Sequence, residues 1–269
     1  GMNVLQWISR SEVPEHKKVT YPRYTVAYRP EKADPNRTRI TAGGDRLDYD
    51  GNVTTNTATL ETIKTHWNSV ISTPGAKYCT GDISNMYLES TLDDPEYVRF
   101  QWDMIPPRIR EAYGLEKLVS NGYVYARIVM AWYGLKQAGK IAHDDLVAHL
   151  KTHGYREAIT QGLFLHETRP ISFTLVVDDF GIKYMHQRDV DHLYKAIAEK
   201  YTFKLDMDGK QYIGIHLNWD YDKRELITSM QGYTKQALKE LEHPAPIKPV
   251  HAPSKVERPN YGGIVQYAP

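Results

Sequence analysis

The sequence predicts an α+β fold, a mainly antiparallel sheet with helices packed against it. Three observations point there. Strand-like and helix-like stretches alternate irregularly rather than in a βαβ rhythm. Local turn signals recur, at Asp50-Gly51-Asn52, at Asp178-Asp179 and at Asp222-Lys223. A chain of 269 residues, 41% hydrophobic and 25% charged, has core enough for one large domain or two lobes.

The elements follow in order. Residues 1–36 are polar and carry Pro14, Pro22, Pro30 and Pro35, so TYPRYTVAYRP reads as a strand interrupted by prolines. RTRITAGGD, 37–45, is a short strand entering a Gly-Gly turn. LETIKTHWNSVIS, 60–72, places Leu60, Ile63, Trp67, Val70 and Ile71 at helical spacing, with Thr59 as N-cap and Pro74-Gly75 as stop. KYCTGDI (77–83), EYVRFQW (96–102) and YVYARIVM (123–130) are strands, and IPPRIREAYG (105–114) is a short helix ended by Gly114. GLKQAGKIAHDDLVAHLKTHG, 134–154, is a long helix with Ala138, Ala142, Leu146 and Leu150 on one face and Gly154 at its end. ISFTLVVDDFGIKY, 171–184, gives two short strands flanking Asp178-Asp179. VDHLYKAIAEKY (190–201) is a helix with Val190, Leu193, Ile197 and Tyr201 inward. QYIGIHLNWDY and ELITSMQ form a hairpin around Asp222-Lys223, and YTKQALKELEH (233–243) is a final amphipathic helix. From 244 to 269 the chain is proline-rich and reads as a linker.

Composition narrows the chemistry. Lys plus Arg is 34 against 33 for Asp plus Glu, so bulk charge neither announces nor excludes a nucleic-acid partner. One cysteine, Cys79, excludes an internal disulfide and a cysteine-based zinc site. No apolar run approaches the ~20 residues of a spanning helix, and no phosphate loop of the GxxxxGK[ST] type is present. His149 and His153 stand four apart without an HExxH pattern and, with His143, read as surface or interface histidines. LDMD, 205–208, reads as a turn rather than a calcium site.

The carboxylates carry the sharper signal. Asp178 and Asp179 sit in a run of hydrophobic residues, where unpaired charge is costly to bury. Alone the pair reads equally well as an exposed turn or as a metal-holding hairpin tip. Asp82, at the end of an apolar strand, reads alone as an N-cap for a helix starting at Ile83. Taken together, carboxylates from two separate strands suit two-metal phosphoryl transfer, with ions roughly 3.5–4 Å apart. Mg²⁺ takes few protein carboxylates and completes its octahedron with water and phosphate oxygens.

The wider pattern resembles reverse transcriptases of LTR retrotransposons. Asp82 with Tyr87 looks like polymerase motif A. Tyr133-Gly134-Leu135-Lys136-Gln137-Ala138 looks like motif B in its copia-type form. Val176-Val177-Asp178-Asp179 looks like motif C, and Tyr212-Ile213-Gly214-Ile215 resembles the motif E primer grip. The resemblance covers about residues 20–243. Val176 stands where many members carry Tyr or Phe, and Gly139 where copia-type elements usually carry Pro.

The resemblance implies a right-hand polymerase with fingers, a mainly antiparallel palm sheet backed by helices, and a partial thumb. Residues 1–75 would be an N-terminal segment and fingers, 95–130 the second part of the fingers, 76–94 and 131–222 palm, and 223–243 the primer-grip hairpin and thumb start, before the 244–269 linker. Asp82, Asp178 and Asp179 become the catalytic residues, holding two Mg²⁺ ions (or Mn²⁺) with the backbone of Ile83. Tyr87 becomes the steric gate under the incoming sugar. Tyr133, Gly134 and Lys136 approach nucleotide and template. Arg37 or Arg39 clamps the triphosphate, with Lys32 and Arg46 as further candidates. Lys204 or Lys210 is the candidate for protonating pyrophosphate. The implied activity is DNA synthesis from dNTPs on an RNA or DNA template with a DNA or RNA primer. The implied setting is a cytoplasmic retroelement particle, with no membrane and an unspecified oligomeric state. No stretch resembles a ribonuclease H, integrase or protease, so RNA template is expected to survive. Three alternatives stand beside it: a non-catalytic template-primer binding fragment lacking a complete thumb, a two-metal nuclease using the same aspartates, and a structural domain in which the three carboxylates fall in motif order by chance.

Overall fold

Alternating apolar residues build two main sheets, one from the first half of the chain and one mostly from the second. The computed structural model describes residues 3–28 and 35–242. The elements run β1 (Leu5–Ile8), β2 (Val19–Thr20), β3 (Pro22–Tyr28), β4 (Asn36–Ala42), α1 (Leu60–Ser72), β5 (Lys77–Ile83), β6 (Thr91–Gln101), α2 (Pro107–Tyr113) and β7 (Tyr123–Met130). They continue with α3 (Ala138–Thr152), β8 (Tyr155–Glu157), β9 (Leu163–His166), β10 (Ile171–Val176), β11 (Asp179–Tyr184), α4 (Gln187–Ala198), β12 (Phe203–Asp206), β13 (Gln211–Tyr212), β14 (Ile215–Asp220), β15 (Glu225–Ser229) and α5 (Gln231–Glu240). The chain divides into two compact units, Gly1–Thr228 and Ser229–Pro269. The second contributes α5 to the described residues. Lys32 and the linker expected over 244–269 lie outside them.

In the first unit, β1-β7-β6-β2 form a four-stranded sheet whose β2–β6 pair is parallel. The six-stranded sheet β12-β5-β11-β10-β9-β8 is antiparallel throughout. β3–β4 is a two-stranded ribbon, and β13-β14-β15 a three-stranded one. The α+β reading holds: helices pack on an antiparallel sheet.

The strand alternation decides what each face of the six-stranded sheet buries. Cys79 and Ile83 of β5, with Phe180 and Ile182 of β11, meet Ala142, Leu146 and Leu150 of α3 and Val190, Leu193 and Ile197 of α4. Four of the five phenylalanines form a row here. Phe164–Phe173 and Phe173–Phe180 centroids lie 5.0 Å apart, and Phe180–Phe203 5.3 Å. Gly81 permits the last step: a Cβ there would stand 2.1 Å from the Phe203 ring, which crosses β5 in its place. Each buried Phe contributes about 1.5–3 kcal/mol over an exposed one. Cys79 is buried in this core, and burial pushes its thiol up to about 12, leaving it inert.

The opposite face is aromatic but polar-tipped. α1 lays Ile63, Trp67 and Val70 beside Tyr78, Tyr212 and Leu217. Trp67 Nε1 donates to the Tyr78 hydroxyl at 2.9 Å. Lys183 donates to the Ser69 carbonyl and Thr73 hydroxyl near the end of α1, both at 2.9 Å. Thr59 caps α1 by accepting from the Thr62 amide, as its sequence predicts.

Several boundaries differ from the sequence reading. The helix expected over 134–154 begins at Ala138, because Gly134 has φ +97° and residues 133–137 turn first. The strand expected over 211–221 breaks into β13 and β14 at Ile213-Gly214, both at positive φ (45° and 81°). The helix expected over 190–201 runs from Gln187 to Ala198, and Tyr201 is buried just beyond it. EYVRFQW starts earlier, since β6 opens at Thr91 and Trp102 enters a 3₁₀ turn. LDMD is half strand, with Asp206 closing β12.

Candidate active site

β5 reads through Ile83 without breaking, so Asp82 is a strand residue and not an N-cap. β11 pairs with β5 so that Asp179 lies directly opposite Asp82. Directly opposed residues share a face with Cβ atoms about 4.5–5.5 Å apart. Asp178 precedes them in the β10–β11 turn, where Val177 takes the left-handed conformation with φ +58°. That residue absorbs the strain of the turn. The turn is thus Val177-Asp178 rather than Asp178-Asp179, and both carboxylates are half-buried where an exposed turn would leave them in water. The Ile83 amide donates to the Asp178 carbonyl at 3.0 Å, tying the two strand ends together.

This crowding is visible in the proton affinities. Asp179 is pushed up to about 6, chiefly by burial and then by the charges of Asp178 and Asp82. Asp178 is raised by burial and by Asp82, against the pull of Arg39. The carboxylates crowd negative charge that Arg39 offsets only in part, and the donors are all hard oxygens. Hard oxygen donors in general favour hard divalent cations over softer ones.

Next to the aspartates stands a stack. Tyr87 and Tyr133 rings lie 4.7 Å apart, 19° from parallel. The Arg39 guanidinium lies 5.3 Å from the Tyr133 centroid. Burial, then Asp178, raises both phenols. Tyr87 stands in a 3₁₀ turn after Asn85, which has φ 56°. A Cβ on Gly139 would sit 3.2 Å from the Tyr87 hydroxyl, so the small residue there makes room for that ring. Of the two candidate arginines, Arg39 is the one over Tyr133; Arg37 shares its exposed strand face. Gly134 serves a backbone contact. A Cβ there would lie 2.1 Å from the Ala42 carbonyl, and the Ala42 amide donates to Tyr133 O at 2.7 Å. Lys136 is exposed, while Gln137 turns inward to donate to Glu96 at 3.2 Å, a buried pair the sequence did not reveal.

On the other side of the aspartates a cleft of about 620 Å³ runs to the β13–β14 turn, lined among others by Asp82, Asp179, Lys204, Asp206, Ile213 and Gly214. Lys204 pairs opposite Asp82 across β12–β5. Lys210 is instead tied to Asp208 at 2.6 Å. Asp206, a third carboxylate on the cleft beside Asp82 and Asp179, was missed; only the β12–β5 register brings it there. Tyr212 is buried, its hydroxyl donating to the Thr174 carbonyl at 2.9 Å while Thr174 Oγ1 donates back at 3.1 Å. It anchors the turn, leaving Ile213 and Gly214 to face the cleft and Ile215 to start β14.

Fold and site together define an α+β protein whose antiparallel sheet gathers three aspartates at one end, between an arginine-tyrosine stack and a basic-acidic cleft. No family model matches the sequence. Over 168 residues, 60% of the chain, it is 24% identical to a Saccharomyces cerevisiae protein named for transposon Ty5-1, YCL074W. The match spans 49% of that protein, about half its length. Among solved structures, a foamy viral protease-reverse transcriptase bound to double-stranded DNA aligns at TM-score 0.43 and 12% identity, over 89% of this chain and 36% of that one. Telomerase from Candida albicans, in complex with a telomeric RNA fragment, aligns at TM-score 0.44 and 9% identity, over 80% and 46%. No helix among the described residues is long and apolar enough to cross a membrane.

Proposed function

We propose that this chain is the catalytic core of a retroelement reverse transcriptase, extending a primer 3′-hydroxyl with dNTPs on an RNA or DNA template and releasing pyrophosphate. The observation that carries the reading is the register that sets Asp179 opposite Asp82, with Asp178 at the adjoining turn. The similarity to a transposon protein agrees with it in class. The six-stranded sheet would be the palm, and the four-stranded sheet with the β3–β4 ribbon the fingers. A thumb would begin within 223–243.

Asp82 and Asp178 would hold two Mg²⁺ ions, or Mn²⁺ in their place, with Asp179 and the Ile83 backbone in support. Ions bound there would supply a lowered pKa for the attacking hydroxyl and neutralisation of phosphate charge. The chain's own groups do the positioning. Arg39, braced by Tyr133, offers a planar fork to phosphate oxygens. Tyr87 presents a flat ring beneath the sugar, where a 2′-hydroxyl would clash. Lys204, opposite Asp82, would give a proton to departing pyrophosphate. The Ile213-Gly214 turn offers backbone to the primer strand.

The test is primer extension on an RNA template with dNTPs and Mg²⁺, comparing the chain with Asp178→Asn. Extension lost in the variant supports the reading. Binding of primer-template without extension by either protein reduces the chain to a binding module, and dNTP-independent cleavage of the nucleic acid would point to a nuclease.

A further inference from the structure

We propose that the junction of α3 and α4 is a binding site for a transition metal of the Zn²⁺ class, formed by His149, His153 and Glu199. It lies on the helix-covered side of the six-stranded sheet, away from the aspartates. One ring nitrogen from each histidine and one Glu199 carboxylate oxygen lie within 4.8 Å of one another. The two rings stand one helical turn apart with centroids at 4.9 Å. His153 Nε2 is 3.3 Å from Glu199 Oε2. Ligands at about 2.0–2.1 Å around a tetrahedral ion stand roughly 3.3 Å apart, so that edge already has its bound length. The remaining edges, within 4.8 Å, need a closure of at most about 1.5 Å.

Two further observations fit an ion here. His149 Nε2 lies 2.6 Å from the Ala196 carbonyl. A carbonyl has no proton, so Nε2 donates, and in the neutral imidazole Nδ1 then carries the lone pair. A ring nitrogen bonded to a backbone carbonyl is the usual support behind a metal-ligating histidine. His153 is the C-cap of α3 and Glu199 that of α4. The negative ends of two helix dipoles therefore converge on the ion's position. Three protein ligands leave a fourth place for water. Two imidazoles suit Zn²⁺ and similar ions, whereas the all-oxygen aspartate centre suits Mg²⁺; ion hardness separates the sites. The ion would fasten α3 to α4. This site stands whether or not the aspartates polymerise.

The experiment is a Zn²⁺ titration of the full chain carrying Asp178→Asn and Asp179→Asn, which weakens the carboxylate centre. One equivalent should bind, raising Tm by about 5–10 °C at a hundredfold excess over Kd. Co²⁺ should give the visible absorption of a tetrahedral site. His153→Ala, at a half-exposed position, should lower Zn²⁺ affinity about 100-fold without changing the metal-free Tm by more than a few degrees, and Glu199→Gln should lower it about tenfold. Mg²⁺ should not compete. No Zn²⁺ bound at about 100 µM, or binding undiminished in His153→Ala, overturns the proposal.

Discussion

The two faces of the six-stranded sheet are built by the same strands, residue by alternate residue. β5 sends Cys79, Gly81 and Ile83 toward α3 and α4, and Tyr78, Thr80 and Asp82 the other way. β11 sends Phe180 and Ile182 to the helices and Asp179, Gly181 and Lys183 away from them. The helix face is closed and apolar, and its phenylalanine row has no polar atom to satisfy. The other face is closed by α1 and β13–β14 at one end and open at the aspartates, where charge keeps some contact with water. The contrast teaches that stability and chemistry are separated here by a single residue of register. A slip of one position would bury the aspartates under helices and put the phenylalanines in the cleft.

Substitutions can break or sharpen this contrast, beginning with the largest effect. Asp178→Asn or Asp82→Asn should lower primer extension about 10³-fold or more, with Tm nearly unchanged, as read by extension assay and thermal melt. Phe180→Ala, one residue beyond Asp179, should do the reverse. It should cost about 3–5 kcal/mol and lower Tm by roughly 10 °C, while extension per folded molecule persists below the melt. A Phe180→Ala protein that kept its Tm would remove the distinction between the faces.

Gly134→Ala should cost about 1–3 kcal/mol from its left-handed φ alone. The approach to Ala42 O adds to this, and loss of the Ala42–Tyr133 hydrogen bond should appear as faster amide exchange at Ala42. Asp179→Asn should stabilise the metal-free protein by about 1 kcal/mol, after discounting for solvent screening. The sign follows from a carboxyl raised to about 6 from an ordinary value of 3.8. The folded chain binds the extra proton between those values, so stability falls as pH rises through that window. The gain in Asp179→Asn should be absent near pH 4 and complete above about pH 6, as urea titrations across that range would show.

Much of this was legible in sequence because the signals are local. The bounds of β5, β7 and α1 are those of KYCTGDI, YVYARIVM and LETIKTHWNSVIS, whose alternation and cap residues are self-contained. What escaped depends on distant partners. β5 lies between β11 and β12, about a hundred residues away, and only that register sets Lys204 opposite Asp82 and brings Asp206 to the cleft. The delayed start of α3 follows from a backbone contact between Gly134 and Ala42 that no local pattern encodes. Tyr212 shows the same limit. Its motif was readable, but its role as an anchor to Thr174 requires β10 to be present.

The β3–β4 ribbon carries a mechanical consequence. It runs seven cross-strand pairs, roughly 20 Å, from a root where the Ala42 amide meets Tyr133 O, Trp132 Nε1 meets Ile40 O and the Gly43 amide meets Tyr21 O. Such a ribbon is a cantilever. A tilt of about 10° at the root carries its far end some 3–4 Å, by the lever arm of its length. Arg39, in the fourth of the seven pairs, sits halfway along the arm and travels about half as far as the tip. A displacement of Arg39 would therefore be about doubled at Tyr28 and Asn36.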